Sequence, residues 1–429
     1  MATQSLKAAI PAPIRDGVAI VLDALHIRTR FVDGPQGFDP AKGLAVDVAV
    51  YFPDNMSKAY QLTQWLPVLE DHPDDLTFGL VVRKIPIYLE LKELTKLPIA
   101  YVPTFADVME LYRVSPFKAV MYVNNGVGNF QSLTVAELAH IHVNHGESDK
   151  ICMVSNQVKA YDRVFVAGQA AVLRHRAALS EFNEEVLVRV GRPQLDENPK
   201  PSLPESSRRT VLYAPTWAGE DEANNYTSME FMGSHIIDAI VSQDNVRVVY
   251  KPHPRIADSD DQRIRKNHRY VLRAIKQANA KDPAAGHEVH ESGDILAIFP
   301  RVDLLISDVS SIALDFLYLR TEAPIMLTDR RNNISQLQID SPLSAATPVL
   351  TKDNVKDASQ IISGILTLDK FVQDRKVLRE FYFDNVKAGE SAPRFFAAMR
   401  DAIKAHSADV VRAKSLAESG TGPRFEHRT

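Results

Sequence analysis

Short apolar runs recur along the chain, separated by segments whose apolar residues return every three or four positions. In the first half the runs are Val46–Phe52, Phe78–Val82, Pro98–Val102, Lys118–Val123, Ala139–Val143, Arg163–Ala167 and Val186–Val190. Runs this short and this apolar predict strands covered on both faces, as in a parallel sheet. Ser57–Leu69 and Ala170–Phe182 carry helical periodicity between them. The pattern breaks at Asn198–Arg209, where three prolines and three serines without apolar periodicity read as a linker. It then resumes, with strands predicted at Thr210–Ala214, Val246–Tyr250, Leu304–Ser307 and Pro324–Leu327. Helices are predicted at Met229–Val241, Asp260–Ala280, Ser311–Leu319 and Ala358–Leu368. Lys370–Ala417 is mostly helical in pattern, and Glu418–Thr429 reads as a frayed tail. Strand and helix alternating twice over predict an α/β protein of two Rossmann-like domains facing across a cleft. The expected division is 1–197, a linker at 198–209, a second domain at 210–369, C-terminal helices at 370–417 and a tail at 418–429.

A length of 429 residues supports that division, because one core rarely grows so large. The 45% hydrophobic and 24% charged content is that of a globular protein, and a net charge of -4 gives no reason to expect nucleic-acid binding. A lone cysteine, Cys152, rules out an internal disulfide and a cysteine-based zinc site and fits a reducing, cytoplasmic compartment. No stretch reaches the roughly 20 apolar residues of a membrane span. Pro11, Pro13, Arg15 and Asp16 interrupt any signal-peptide pattern. The mixed apolar and charged run Ile14–Phe31 reads either as a segment packed on the first domain or as one lying on a membrane surface.

Open parallel sheets bind ligands beyond the carboxyl ends of their strands, so the strand exits carry the chemistry. In Asp303–Phe316, DLLISDVSSIALDF, a strand turns at Asp308 and Val309 into a helix opened by Ser310 and Ser311. The two serines suit plain N-capping, and equally a phosphate site built from hydroxyls, free N–H groups and the positive helix end. Asp315 lies four residues beyond Ser311. His253 leaves its strand between two prolines, with Lys251 and Arg255 beside it; a rigid cationic turn of this kind suits a phosphoryl oxygen. His145 and Gly146 follow the strand Ala139–Val143, where an imidazole with an ordinary pKa near 6.5 can take a proton from a hydroxyl. Thr216 and Trp217 end the first strand of the second domain in YAPTW. His140 and His142 alternate with apolar residues and read as structural, and no carboxylate cluster completes a zinc site around the pair His142 and His145. A DxD metal motif is absent, and Gly126 and Gly128 in NNGVGNF lack the third glycine of a dinucleotide fingerprint.

Taken in order, NHGESDK, VGRPQLD, VLYAPTW, YKPHP, ISDVSSIALDF and FDNVKAGESAPRF resemble the CDP-glycerol glycerophosphotransferases, the group that contains teichoic acid primases and polymerases. The resemblance runs from Asn144 to Phe395. It implies a GT-B-like fold and transfer of an alditol phosphate from a CDP-activated donor to a hydroxyl, with release of CMP and no cofactor or metal. By that resemblance His145 is the general base, His253 contacts the donor pyrophosphate, and Ser310 and Ser311 hold its phosphates together with Lys251 and Asp308. Thr216, Trp217, Gly146 and Asp315 would line the donor site. The implied partners are CDP-glycerol or a related CDP-alditol and a hydroxyl acceptor such as a lipid-linked glycan or polyol phosphate, with peripheral contact at the inner face of the cell membrane. The chain departs from the family pattern at Asn144, where a tryptophan is usual, and at Glu147 and Ser148, where Thr-Pro is usual. Lys251 replaces an arginine and Val309 a tyrosine. A GT-B glycosyltransferase using a nucleotide sugar, and a catalytically silent nucleotide-binding protein of an assembly complex, are the alternative readings.

Overall fold

A computed structural model describes residues 38–196 and 199–418. The run Ile14–Phe31 and residues 419–429 of the tail lie outside the described residues. The chain forms two compact units, one built from the residues up to Ile141 with Ile403 onward, the other from His142 to Ala402.

In the first unit the strands are β1 (Val48–Phe52), β2 (Phe78–Val82), β3 (Ile99–Tyr101), β4 (Ala119–Tyr122) and β5 (Ala139–His142). Their order is β3-β2-β1-β4-β5, with β1 parallel to both β2 and β4. Every residue of β1, β2 and β4 is buried, which explains their unbroken apolar runs. The segment Ser57–Leu69, expected as one helix, is two short ones, Ala59–Thr63 and Leu66–Glu70. Pro67 has no N–H to continue the first, and it sits in the opening turn of the second, where none is needed. The two glycines of NNGVGNF serve close packing: a Cβ on Gly126 would stand 2.9 Å from Asp54 Oδ2, and one on Gly128 2.7 Å from Pro53 Cγ.

In the second unit β6 (Arg163–Val166) pairs in parallel with β7 (Leu187–Arg189). A six-stranded sheet follows: β8 (Arg209–Ala214), β9 (Val246–Tyr250), β10 (Glu288–Val289), β11 (Leu304–Asp308), β12 (Ile325–Asp329) and β13 (Val349–Thr351). Its order is β10-β9-β8-β11-β12-β13, and its strand pairs are parallel. The chain builds outward from β8 to β10 and then returns to the other side of β8. The switch point therefore lies between β8 and β11, where such sheets open a crevice at their carboxyl edge.

Alternating side chains feed two cores. Val211, Tyr213, Val248, Tyr250 and Ile306 meet helices Gly233–Val241, Gln262–Lys281 and Ala358–Thr367 on one face. Leu212, Ala214, Val249 and Leu305 meet helices Ser311–Leu319 and Val372–Phe383 on the other. Among the described residues, the proline-rich segment 199–208 has no helix or strand, yet it is anchored: Leu203 is buried in the second core, and Arg247 donates to the Pro204 carbonyl.

Candidate active site

Three neighbouring exits, those of β9, β8 and β11, bring the expected residues to one edge of the sheet. At the centre Asp308 is wholly buried and accepts from the Thr216 N–H (2.7 Å), the Ser228 N–H (3.1 Å) and the Thr328 hydroxyl (2.6 Å). Burial pushes its carboxyl pKa up, and these donors pull it back. With both oxygens engaged by the protein, Asp308 acts as a clamp across the switch point, holding the Thr216 turn against the Ser310 turn.

Ser310 occupies the N-cap position of helix Ser311–Leu319 but makes no capping hydrogen bond; its hydroxyl stands 3.4 Å from Ser307 Oγ. Plain capping is therefore not what occupies it. The helix opens with its N–H groups and positive end at the β11 exit, which favours an anion there.

From the β9 exit come Lys251 and His253, tied to β8 by Lys251 N–H to Tyr213 O (3.0 Å) and His253 N–H to Pro215 O (3.1 Å). Lys251 is only 7% exposed, and among the described residues its ammonium has no hydrogen bond or ion pair. Burial lowers its pKa, and Asp294 partly restores it. An ammonium at a strand exit with no protein partner has its donors available to an anion. His253 Nδ1 accepts from the Arg255 N–H at 3.2 Å. In the neutral ring the proton therefore sits on Nε2, free to be donated. Burial first, then Lys150, Arg255 and Lys251, push its pKa down to about 4. The ring stacks on Trp217 at 5.9 Å, and the Arg255 guanidinium covers the same indole at 4.3 Å.

The loop of NHGESDK closes the site. Asn144 adopts φ 56°, a left-handed conformation asparagine tolerates, and its side-chain oxygen accepts from the His145 N–H at 2.8 Å. This brings Gly146 against the helix start: a Cβ there would stand 3.5 Å from Ser311 Cβ and 4.0 Å from both Ser311 Oγ and Arg192 Nη1. His145 thus lies in the same compact unit as Ser311 and His253. The unusual Glu147 is one half of a scaffold. Arg174 reaches Glu147 Oε1 at 2.5 Å and Asp149 Oδ1 at 2.9 Å, while Asp149 Oδ2 accepts from Ser341 and Tyr382. At the loop's end Lys150 Nζ donates to Thr216 Oγ1 at 3.1 Å.

Sequence reasoning missed Lys150, Arg174 and Arg192. Lys150 and Arg192 stand inside the motifs that carried the resemblance, so a basic residue within a motif was the available signal. Arg174 gave none, because it acts from a helix of no special pattern. Asp315 is paired with Arg192 at 2.8 Å, and burial raises its pKa to about 6 against the pull of Arg192.

The strand exits thus gather a lysine, an imidazole carrying its proton on Nε2 and two serines at one edge of a parallel sheet, an arrangement suited to an anion. Residues 180–328 match the family described as CDP-glycerol:poly(glycerophosphate) glycerophosphotransferase, so the resemblance carried by the motifs holds over this region. The matched family is one of transferases. The match includes His253, Ser310 and Ser311 and stops short of His145. Among solved structures, the wall teichoic acid polymerase TagF is 14% identical, with TM-score 0.53, over 91% of this chain and 97% of that one. A variant of TagF soaked with CDPG is 12% identical, with TM-score 0.54 over the same shares. A putative UDP-N-acetylglucosamine 2-epimerase from Listeria monocytogenes is 14% identical, with TM-score 0.55, over 84% of this chain and 97% of that one. These likenesses give the chain a GT-B-like fold. No curated protein matches the sequence. No helix among the described residues is long and apolar enough to cross a membrane.

Proposed function

We propose that the protein transfers an alditol phosphate, glycerol phosphate or a relative, from a CDP-activated donor to a hydroxyl acceptor in the synthesis of a cell-surface polymer. The observation that carries this reading is Lys251, whose ammonium has no hydrogen bond or ion pair among the described residues, beside the Nε2–H of His253 at the exit next to Ser310 and Ser311. That set of donors suits a diphosphate. The match of residues 180–328 supports a CDP-alditol as its source, as does the CDPG soaked into the TagF variant.

In this mechanism the donor's diphosphate lies over the N-terminus of helix Ser311–Leu319, held by Ser310, Ser311, Lys251 and His253. Thr216 and Trp217 line the donor site beside it. His145 takes the proton of the acceptor hydroxyl as its oxygen attacks the β-phosphorus. The bond from that phosphorus to the bridging oxygen breaks, and CMP leaves with the electron pair. Donors aimed at the phosphoryl oxygens stabilise the charge that builds there. No step calls on a metal, and the acceptor is a lipid-linked glycan or polyol phosphate reached at the inner membrane face.

The test is CMP release from CDP-glycerol and CDP-ribitol with candidate acceptors. Consumption of UDP- or GDP-sugars in place of CDP-alditols would establish a nucleotide-sugar enzyme instead, a reading the epimerase-like fold favours. Donor binding without CMP release under any acceptor would establish a silent member. His145→Ala is expected to keep donor affinity and lose transfer by roughly 10²–10⁴-fold; retention of more than a tenth of the rate removes the base assignment.

A further inference from the structure

Two of the motifs, VGRPQLD and AGESAPRF, have no part in the mechanism above, and the structure joins them into one knot. Asp196 accepts from the Gly389 N–H (2.9 Å) and the Ala392 N–H (2.7 Å), capping helix Ser391–Glu418. Ser391, fully buried, accepts from the Arg192 N–H at 3.0 Å. Gly191 has φ 78°, and a Cβ there would collide with Ser391 Oγ at 2.3 Å, so only glycine lets this loop close on the start of the helix. The effect is to fix the backbone from which Arg192 projects.

The side chain it fixes is unusual. Arg192 is 6% exposed, and its Nη1 lies 2.8 Å from Asp315 Oδ1. Both atoms are buried, and the ion pair they form with each other is what holds them. Nε reaches Gln194 at only 3.5 Å. The same Nη1 stands 4.0 Å from the place a Cβ on Gly146 would fill, at the corner where Gly146 meets Ser311. Asp315 lies one turn above Ser311 on the helix whose N-terminus faces that corner. A guanidinium whose backbone is fixed beside this corner, and which is tied there by one ion pair, is suited to change partners.

We infer that Arg192 is a phosphate contact of this site, with its guanidinium exchanging Asp315 for an oxygen of the bound diphosphate at the Gly146–Ser311 corner. The inference rests on the proposed function for the identity of the donor, but its chemistry needs only a diphosphate. Asp315, its pKa already raised by burial, is the holding partner that keeps Arg192 aimed when the site is empty of anion.

The experiment measures binding of inorganic pyrophosphate and of CDP-glycerol by calorimetry to wild type, Arg192→Gln, Arg192→Lys and Asp315→Asn, with a thermal melt of each. Loss of a charge-assisted contact predicts roughly 10- to 100-fold weaker pyrophosphate binding in Arg192→Gln. Arg192→Lys should recover part of the loss. Asp315→Asn should bind as tightly as wild type or tighter, because the competitor for Arg192 is gone. That opposite sign is what a merely structural ion pair would not produce. Loss below fivefold in Arg192→Gln, equal losses in Arg192→Gln and Asp315→Asn, or no pyrophosphate binding by wild type would each overturn the inference. If Arg192→Gln does not fold, weaker binding by Asp315→Asn overturns it alone. Wild type that binds pyrophosphate but not CDP-glycerol would sink the proposed donor and leave the Arg192 inference to the pyrophosphate arm.

Discussion

Replacing Gly146 by alanine separates the stability of the site from its use. The added methyl would stand 3.5 Å from Ser311 Cβ and 4.0 Å from Ser311 Oγ and Arg192 Nη1, all ordinary van der Waals distances. The φ of Gly146 is not in the left-handed region, so alanine meets no backbone strain. Removing a glycine also restricts the unfolded chain, which is worth about 0.4–1 kcal/mol in favour of the fold. Gly146→Ala should therefore melt at or slightly above the wild-type temperature. The same methyl occupies the corner at the helix N-terminus where the mechanism places a phosphate oxygen. Losing one charge-assisted contact there costs about 1.5–3 kcal/mol, or roughly 10- to 100-fold in donor affinity. Calorimetry with CDP-glycerol, set beside a thermal melt, reads both quantities. Unchanged affinity in a stable variant would show that the corner holds no phosphate. A clear drop in melting temperature would show that the packing described around Gly146 is wrong.

Asp308→Asn should lose about 2–4 kcal/mol in a urea titration, because an amide nitrogen cannot accept from Thr216 or Ser228 and leaves a buried donor unpaired. Unchanged stability would return Asp308 to the role of a free phosphate-site residue. Arg174→Met strips the cation from two carboxylates that are 6% and 4% exposed, and should cost about 3–5 kcal/mol. A loss under 1 kcal/mol would mean the Glu147–Asp149 loop is held by other contacts. His253 stays neutral in the fold down to about pH 4, whereas the unfolded imidazole takes a proton near 6.5. Its contribution to stability is thus complete above about pH 6.5 and is lost as pH falls toward 4. His253→Gln should lack that part of the acid slope; identical slopes for wild type and variant would contradict the depressed pKa.

The strands were legible because parallel strands buried on both faces leave unbroken apolar runs. Phe78–Val82 and Val246–Tyr250 have the expected bounds. The two short edge strands, Glu288–Val289 and Val349–Thr351, were not among the strands expected from the sequence. Helix Asp260–Ala280 was legible from its stripe of Ile264, Val271 and Ile275, and it begins at Gln262 because Asp261 caps it.

At the site, the order of residues along the chain shows which of them follow which strands, and hence that His145, Lys251, His253, Ser310 and Ser311 all stand at strand exits. Local patterns fix this, since a strand's period and a helix's cap are written within a few residues. Which exits are neighbours, and what each side chain has left to give, follows from the folded arrangement alone. Strand order set β8 between β9 and β11, which turned Asp308 from an expected phosphate ligand into a clamp holding Thr216 and Ser228. Packing left Ser310 without a capping hydrogen bond and the Lys251 ammonium without a partner among the described residues, and it carried Arg192 to the Gly146–Ser311 corner. A hydrogen bond or ion pair between residues a hundred positions apart has no local signature, because it exists only once the core has set the distance between them.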